Sequence, residues 1–320
     1  MYSVKRNLVT ALVCLLHMGA FAQSAEVTKY ITEITTIIKN NSIVSPKINW
    51  AEYEKEVGDL SRNINSIDSC KPVLNYIIKT LRNSGDYHSF FIDKPGVTKL
   101  TKGLYQPKVV QARLLNPNTG YIKVPPLRSF NEQLNGAFRD TIQQLIKKLD
   151  TENEITAWVV DLRGNTGGNM WPMVAGLNAL IKDGIAGYWV DIKNNRSKWY
   201  SDGRGFMGTG KFYKIKRMSS PIAVLIDSST ASSGEMTAIS FIGLRNVKTF
   251  GQPSAGYTTS NETYRLSNGT ILQLANSYAA DRKKNIYKER IYPNVYIKEN
   301  TKTADDTMET AMEWVMKKKG

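Results

Sequence analysis

Two apolar runs of strand length, each followed directly by a polar turn and a helical pattern, constrain the fold most. "ITAWVVDL" occupies residues 155–162 and "PIAVLID" occupies residues 221–227. Neither run alternates between apolar and polar residues, which is typical of parallel strands covered by helices on both faces. Because further strand and helix patterns alternate along the chain, we predict an α/β fold with a core of mixed sheet and helices.

The residues before this core favour a small helical region. Three stretches have the periodicity of amphipathic helices: residues 26–41, 48–64 and 71–83. Ser84 and Gly85 end the last of them. We therefore divide the chain into an N-terminal helical region over residues 23–94 and an α/β core over residues 95–320.

The rest of the core follows from turn and periodicity signals. The turn residues in 95–118 predict loop and short strands, and Asn268-Gly269 predicts a hairpin. Further strands are predicted at 120–127 and 247–251, and helices at 130–149, 170–182, 233–244 and 303–319.

The N-terminus has the form of a secretory signal. Lys5 and Arg6 precede an apolar stretch over residues 8–18, and "AFA" at residues 20–22 fits a small-residue cleavage site. The alternative, a membrane anchor, is less favoured because the apolar stretch is short for a spanning helix. We predict a signal peptide over residues 1–22 and export to a periplasm or to the outside of the cell.

The charge is strongly positive. The formal net charge is +15, and removal of Lys5 and Arg6 leaves 41 basic and 28 acidic residues, or +13. Such a charge could attract nucleic acid or an anionic envelope surface. The basic residues are scattered and no recognition motif accompanies them, so we expect a solvated basic surface and no nucleic-acid partner.

Cysteine and histidine are scarce. The cysteines are Cys14 and Cys70 and the histidines are His17 and His88, so the first of each lies in the predicted signal peptide. The exported chain would then have no internal disulfide and no zinc site that needs two histidines. We expect neither a metal nor another cofactor.

The polar turns after the two core strands hold the candidate chemistry. "DSSTASSGEM" places serines where a strand leads into a helix, beside the positive end of the helix dipole. "DLRGNTGG" has glycines that allow backbone N–H groups to approach an anion. A serine nucleophile needs a base, and His88 is the candidate histidine. Each turn alone is also explained by ordinary capping and turn chemistry.

Six motifs in one order resemble the C-terminal processing peptidases, also called tail-specific proteases. The matching stretches are "DYHS", "GYIKVPPL", "DLRGNTGG", "VLIDSSTASSGEM", "GQPSAGY" and "RIYPNVYI", which together span about residues 81–298. This serine peptidase family includes the tricorn core protease and the retinoid-binding protein modules. The resemblance implies a crotonase/ClpP-like core and hydrolysis of peptide bonds.

The resemblance also implies roles for individual residues. The family's nucleophile lies three residues before a glutamate, so Glu235 points to Ser232. The backbone N–H of Ser233 would form the oxyanion hole together with that of Gly167 or Gly168. Ser228 and Ser229 would have no catalytic part.

The base follows from a departure within the family. Many members use a lysine 25 residues after the serine, but that place holds Tyr257. The tricorn-like branch uses an upstream histidine, and His88 stands there. An ordinary histidine predicts that activity falls with acidification at about pH 6–7.

The third catalytic group is less well defined. In the histidine branch it is a late glutamate, and Glu289 is the nearest candidate. Glu289 lies four residues before Pro293, whereas the family pattern suggests six. Asp281 and Asp86 remain alternatives.

One further departure concerns the substrate. Tail-specific members usually carry a PDZ domain before the "GYIKVPPL" strand, but only 31 residues, 89–119, separate His88 from Gly120. We therefore expect no PDZ domain and a short or unfolded peptide as substrate. The alternatives are a non-catalytic ligand-binding or peptide-binding module on the same scaffold, a serine esterase, and an envelope-binding protein that acts through its charge.

Overall fold

The computed structural model describes residues 24–204, 212–298 and 305–318. The predicted signal peptide over residues 1–22 lies outside these ranges. Inside them the fold is mixed α/β, as predicted, with two six-stranded sheets. None of the helices in these ranges combines the length and apolarity needed to cross a membrane.

Helices and strands alternate through most of the chain. The helices are α1 (Ala25–Asn41), α2 (Trp50–Ser61), α3 (Lys71–Asn83), α4 (Lys94–Thr101), α5 (Glu132–Glu152), α6 (Met170–Gly176), α7 (Asn178–Ile181), α8 (Ser233–Phe241) and α9 (Asp306–Lys317). The strands are β1 (Phe90–Ile92), β2 (Gln111–Asn116), β3 (Thr119–Lys123), β4 (Ala157–Asp161), β5 (Ile185–Asp191), β6 (Arg196–Tyr200), β7 (Ile222–Ile226), β8 (Val247–Gly251), β9 (Thr259–Arg265), β10 (Ile271–Asp281), β11 (Ile286–Tyr287) and β12 (Val295–Tyr296).

The first sheet contains the two apolar strands that the sequence singles out. Its strand order is β12-β8-β7-β4-β3-β2, and all neighbours are parallel except β2 and β3. Trp158 and Val224 face a core formed with α5, α6 and α8. Val159 and Leu225 face the opposite core, which α9 covers. Both faces are therefore buried, which explains why β4 and β7 lack polar alternation.

The second sheet is antiparallel and is built around the long strand β10. Its path is β1-β10-β5-β6, and β9 and β11 pair with β10 as well. One edge of β10 pairs with β1, just after His88, and the other pairs with β9, which begins at Thr259. This sheet brings His88 and Thr259, which are 171 residues apart in sequence, into contact.

The N-terminal helices pack on the second sheet. Their buried side chains, among them Ile34 of α1 and Ile77 of α3, form one core with Leu272 and Leu274 of β10. Ser24 and Asn49 cap α1 and α2 by accepting hydrogen bonds from backbone N–H groups of the first turn. His88 therefore lies between two segments that contact β10: the N-terminal helices, which precede it, and β1, which follows it.

Two segments differ from the sequence prediction. The helix predicted over residues 170–182 is divided at Leu177 into α6 and α7. Residues 95–118, predicted as loop and short strands, include most of α4, whose first turn Asp93 caps through Gly96 N–H. The interval between His88 and Gly120 therefore contains β1, α4 and β2.

Gly120 on β3 permits a close contact with the neighbouring strand β4. A Cβ at this position would lie 2.5 Å from the ring of Trp158, which is fully buried on the neighbouring strand. Gly120→Ala should therefore lower the free energy of unfolding by about 1–3 kcal/mol in urea titrations.

Gly136 on α5 provides the matched control. No atom lies within 4 Å of a Cβ at Gly136, so Gly136→Ala should raise the free energy of unfolding by about 0.5–1 kcal/mol. Equal effects of the two substitutions would contradict the packing at Trp158.

Candidate active site

The two polar turns meet at the carboxyl end of the first sheet. Because β4 and β7 are adjacent and parallel, their following turns leave the same edge. Ala231 N–H donates to the carbonyl oxygen of Asn165 at 2.9 Å, and Thr230 Oγ1 donates to that of Leu162 at 3.0 Å. These bonds fix the serine turn against the glycine turn.

Ser232 has a backbone conformation that residues other than glycine rarely adopt. It precedes α8 with φ 52° and ψ −118°. Such a conformation costs on the order of 1–3 kcal/mol and persists only where its surroundings enforce it. A serine on a strained strand-to-helix turn presents its hydroxyl as a nucleophile in many hydrolases.

The buried carboxylate of Glu235 enforces this conformation. It accepts hydrogen bonds from Ser232 N at 2.7 Å, Ser254 Oγ at 2.5 Å, Gly256 N at 2.8 Å and Tyr257 N at 2.8 Å. Burial raises the pKa of Glu235, and the four donors oppose that rise. Glu235 therefore links the serine turn to the turn at residues 254–257.

His88 lies within hydrogen-bond distance of Ser232. Its Nε2 is 2.9 Å from Ser232 Oγ, although 144 residues separate the two in sequence. Asp86 Oδ1 accepts from the backbone N–H of His88 at 2.9 Å, and Asn261 Nδ2 donates to the His88 carbonyl at 2.8 Å. The histidine is thus held through its backbone as well as its ring.

The second ring nitrogen of His88 faces a hydroxyl. Nδ1 is 2.8 Å from Thr259 Oγ1 on β9. If Nε2 accepts the Ser232 hydroxyl proton, Nδ1 carries the ring proton and donates it to Thr259. The sequence reasoning missed Thr259, because a threonine in a strand carries no signal of such a role.

The three acidic residues that were candidates for the partner of His88 Nδ1 lie elsewhere. The side chain of Glu289 is exposed, and its carbonyl oxygen accepts from Thr258 Oγ1 at 2.7 Å. Asp281 accepts from Lys283 and Asn285 within its own turn, and Asp86 binds backbone and Ser89. The expected carboxylate partner is therefore not found at Nδ1.

The environment of His88 disfavours its charged form. Burial lowers the pKa of His88 to about 4, and a hydrogen bond with the backbone of Thr259 opposes this by a smaller amount. The ring of Tyr257 packs against the imidazole, with 5.3 Å between the ring centroids. The expected loss of activity at about pH 6–7 assumed a histidine with an ordinary pKa, and that assumption does not fit this environment.

One N–H from each turn is free to bind an oxyanion. The N–H of Gly167, an expected donor, instead donates to Asn165 Oδ1 at 3.0 Å. In the described part of the chain, nothing accepts a hydrogen bond from Gly168 N–H or Ser233 N–H. Ser233 Oγ donates to the Gly168 carbonyl at 2.6 Å, which keeps these two N–H groups together.

Gly167 has a steric role. Its φ is 96°, and a Cβ there would lie 2.8 Å from Ser232 Cβ. Any side chain at this position would displace the serine turn. The glycine therefore allows the two turns to approach closely.

The acid and base of "DLR" stabilise the fold beneath the site. Asp161 is fully buried and accepts from Tyr121 Oη at 2.9 Å and from Arg163 at 2.8 Å. Arg163 also donates to both carboxylate oxygens of Asp305, which caps α9. This bidentate pair fastens α9 to the sheet.

A mixed α/β core that places a strained serine beside a histidine and two free backbone N–H groups has the form of a serine hydrolase site. Comparisons with known proteins identify the particular family. Residues 118–297 match Peptidase family S41. The chain belongs to this family.

Individual proteins are similar over most of the chain. The chain is 33% identical over 272 residues to the nisin-resistance protein of Lactococcus lactis subsp. lactis, covering 83% of this chain and 80% of that protein. A lipoprotein structure from Streptococcus agalactiae is similar with a TM-score of 0.77 and 25% identity, over 91% of this chain and 96% of that one.

A third relative shares the fold. The photosystem II D1 C-terminal processing protease is similar with a TM-score of 0.59 and 13% identity, over 89% of this chain and 96% of that one.

The lowered pKa of His88 can be measured directly. In a His17→Gln variant of the full chain, His88 is the single histidine, so its ring gives one titrating NMR signal. We expect a midpoint near pH 4 in the folded protein and about 6.5 in urea.

The same shift predicts how stability depends on pH. Since the folded pKa lies below the unfolded value, the contribution of neutral His88 is complete above about pH 6.5 and is lost as the pH falls towards 4. Replacement of His88 by Asn should remove that part of the acid dependence. A folded midpoint at or above 6 would show that the ring is solvated.

Proposed function

We propose that the protein is an exported serine peptidase in which Ser232 is the nucleophile and His88 is the general base. The observation that carries this proposal is the 2.9 Å contact between His88 Nε2 and Ser232 Oγ. It joins two motifs that are distant in sequence, in a chain that belongs to a peptidase family. The signal-like N-terminus and the similarity to a lipoprotein support export.

The acylation step uses the neutral imidazole. His88 Nε2 takes the proton of Ser232 as Oγ bonds to the carbonyl carbon of the peptide. The oxyanion accepts hydrogen bonds from Gly168 N–H and Ser233 N–H. The carbon–nitrogen bond then breaks, and the imidazolium gives its proton to the leaving amine.

Deacylation reverses these roles with water. His88 takes a proton from water as the water oxygen bonds to the acyl carbon, and the acid product leaves when Ser232 regains its proton. Because the pKa of His88 is lowered to about 4, the ring is neutral and able to accept a proton throughout pH 5–8. Neither step requires a cofactor.

Thr259 takes the positioning role for which an acid was expected. A hydroxyl at Nδ1 fixes the tautomer and the ring orientation without adding a negative charge. Glu235 acts on the other partner, because its bond to Ser232 N–H holds the strained turn. Glu289 has no part in this scheme.

The first experiment is intact mass measurement after treatment with a fluorophosphonate. We expect one adduct on the unmodified chain and none on Ser232→Ala or His88→Ala, because the reagent bonds to an activated serine hydroxyl. Ser229→Ala, three residues after the end of β7 and outside the site, serves as the control and should be labelled. Cleavage of peptides then separates a peptidase from an esterase.

Absence of an adduct on the folded unmodified chain would contradict the proposal. It would favour the non-catalytic binding module, which would bind a peptide or another ligand without turnover.

The role of Thr259 has its own test. Thr259→Val removes the hydroxyl that contacts His88 Nδ1 and should lower kcat/KM about 10-fold to 100-fold, whereas Thr259→Ser should retain most of it. Equal behaviour of the two variants would show that the hydroxyl does not position the ring.

A further inference from the structure

We propose that an extended peptide binds by adding a strand to the outer edge of β9, alongside a cleft of about 520 Å³ that Thr263 and Arg265 line. This inference rests on the proposed peptidase function and names its substrate class: unfolded chain segments recognised mainly through their backbone. Strand addition needs a free edge, a suitable set of outward backbone groups and continuity with the reacting serine.

The first requirement is met because β9 is an edge strand. Among the described residues it pairs only with β10, in a register that joins Arg265 to Ile271 and Thr259 to Tyr278. Its other side carries no strand in that part of the chain. Such an edge presents unpaired N–H and C=O groups.

The second requirement follows from the hairpin that joins β9 to β10. Leu266 N–H donates to the Thr270 carbonyl at 2.9 Å, so the backbone groups of residue 266 face β10. Inward and outward residues alternate along an antiparallel pair, and the backbones of Asn261, Thr263 and Arg265 therefore face away from β10. No described residue forms a hydrogen bond with these outward backbone groups.

The third requirement is continuity with the catalytic pair. β9 begins at Thr259, which contacts His88 Nδ1, and Asn261 Nδ2 contacts the His88 carbonyl. Farther along, Thr263 and Arg265 line the cleft. Six steps of about 3.3 Å separate Thr259 from Arg265, so the strand is about 20 Å long.

The opposite wall of the cleft also starts at the active site. Asn169 and Trp171 line it and follow the oxyanion donor Gly168 in the chain. The start of α5 completes this wall with Glu132 and Asn135. A peptide that leaves Ser232 between β9 and the glycine turn therefore runs into the cleft.

The substrate class follows from this geometry. Backbone pairing along β9 does not read side chains, so residues near the cleaved bond should be loosely specified. The cleft, which contains Glu132 and Arg265, would receive a residue about four to six positions from that bond. A folded protein cannot supply such an extended segment.

The protein side is tested by two proline substitutions on edge strands of the same sheet. Thr263→Pro removes an outward N–H of β9, which an edge strand tolerates because the ladder to β10 does not use it. Lys198→Pro is the matched control on β6. Asp191 N–H donates to Asn195 there, so the N–H of Lys198 also faces outward, at the other end of the sheet.

The probe is a peptide of about 16 residues, spanning the main cleavage site found in reduced, carboxymethylated lysozyme. We expect Thr263→Pro to raise KM at least 10-fold and Lys198→Pro to leave kcat/KM unchanged. Thermal melting checks that both variants are folded, and fluorophosphonate labelling checks the catalytic pair. Unchanged KM in labelled Thr263→Pro would overturn the inference.

The peptide side is tested on the unmodified chain, so it does not depend on the folding of a variant. Peptides N-methylated at one residue at a time should lose at least 10-fold in kcat/KM at every second position on one side of the cleaved bond. A uniform or absent effect would overturn strand addition.

A binding measurement separates this inference from the proposed function. The affinity of the same peptides for Ser232→Ala, followed by fluorescence anisotropy, should show the period-two pattern without any turnover. If the unmodified chain is not labelled but this pattern appears, the peptidase proposal fails and the peptide-binding edge stands. If labelling occurs without the pattern, the inference about β9 fails and the peptidase proposal stands.

Discussion

The site depends on one buried carboxylate. Glu235 accepts four hydrogen bonds and in doing so fixes the positive-φ conformation of Ser232 to the turn at residues 254–257. A carboxylate buried without partners would be costly, but here each donor comes from a segment that the site needs. The four hydrogen bonds therefore offset the cost of burying the carboxylate, and they also fix the position of the Ser232 hydroxyl.

Each sheet contributes one half of the proposed catalytic arrangement. The parallel sheet supplies Ser232 and the oxyanion donors from the turns after β4 and β7, where strands of equal direction end together. The antiparallel sheet supplies His88 and Thr259 from the two strands that flank β10. Neither sheet alone contains both Ser232 and His88, so the site depends on the core that the two sheets share with α6 and α8.

Much of this could be predicted from sequence, for physical reasons. Strands buried on both faces leave continuous apolar runs, and Ser232 and His88 lie in motifs whose glycines, serines and acids carry strong local signals. Thr259 could not be found, because its role comes from antiparallel pairing between distant segments. The pKa of His88 could not be found either, since it depends on which residues bury the ring. Glu289 was favoured by the family resemblance, although its spacing from Pro293 departs from the family pattern, and neither determines which way a side chain points.

The shared strand β10 has a consequence for how the site could respond to motion. His88 and Thr259 are both anchored to this strand, whereas Ser232 is anchored to the other sheet. A small displacement of one sheet relative to the other would lengthen the Nε2–Oγ contact and leave the Nδ1 contact intact. His88 and Thr259 thus keep their relative position, and the proposed proton transfer depends on how well the two sheets are aligned.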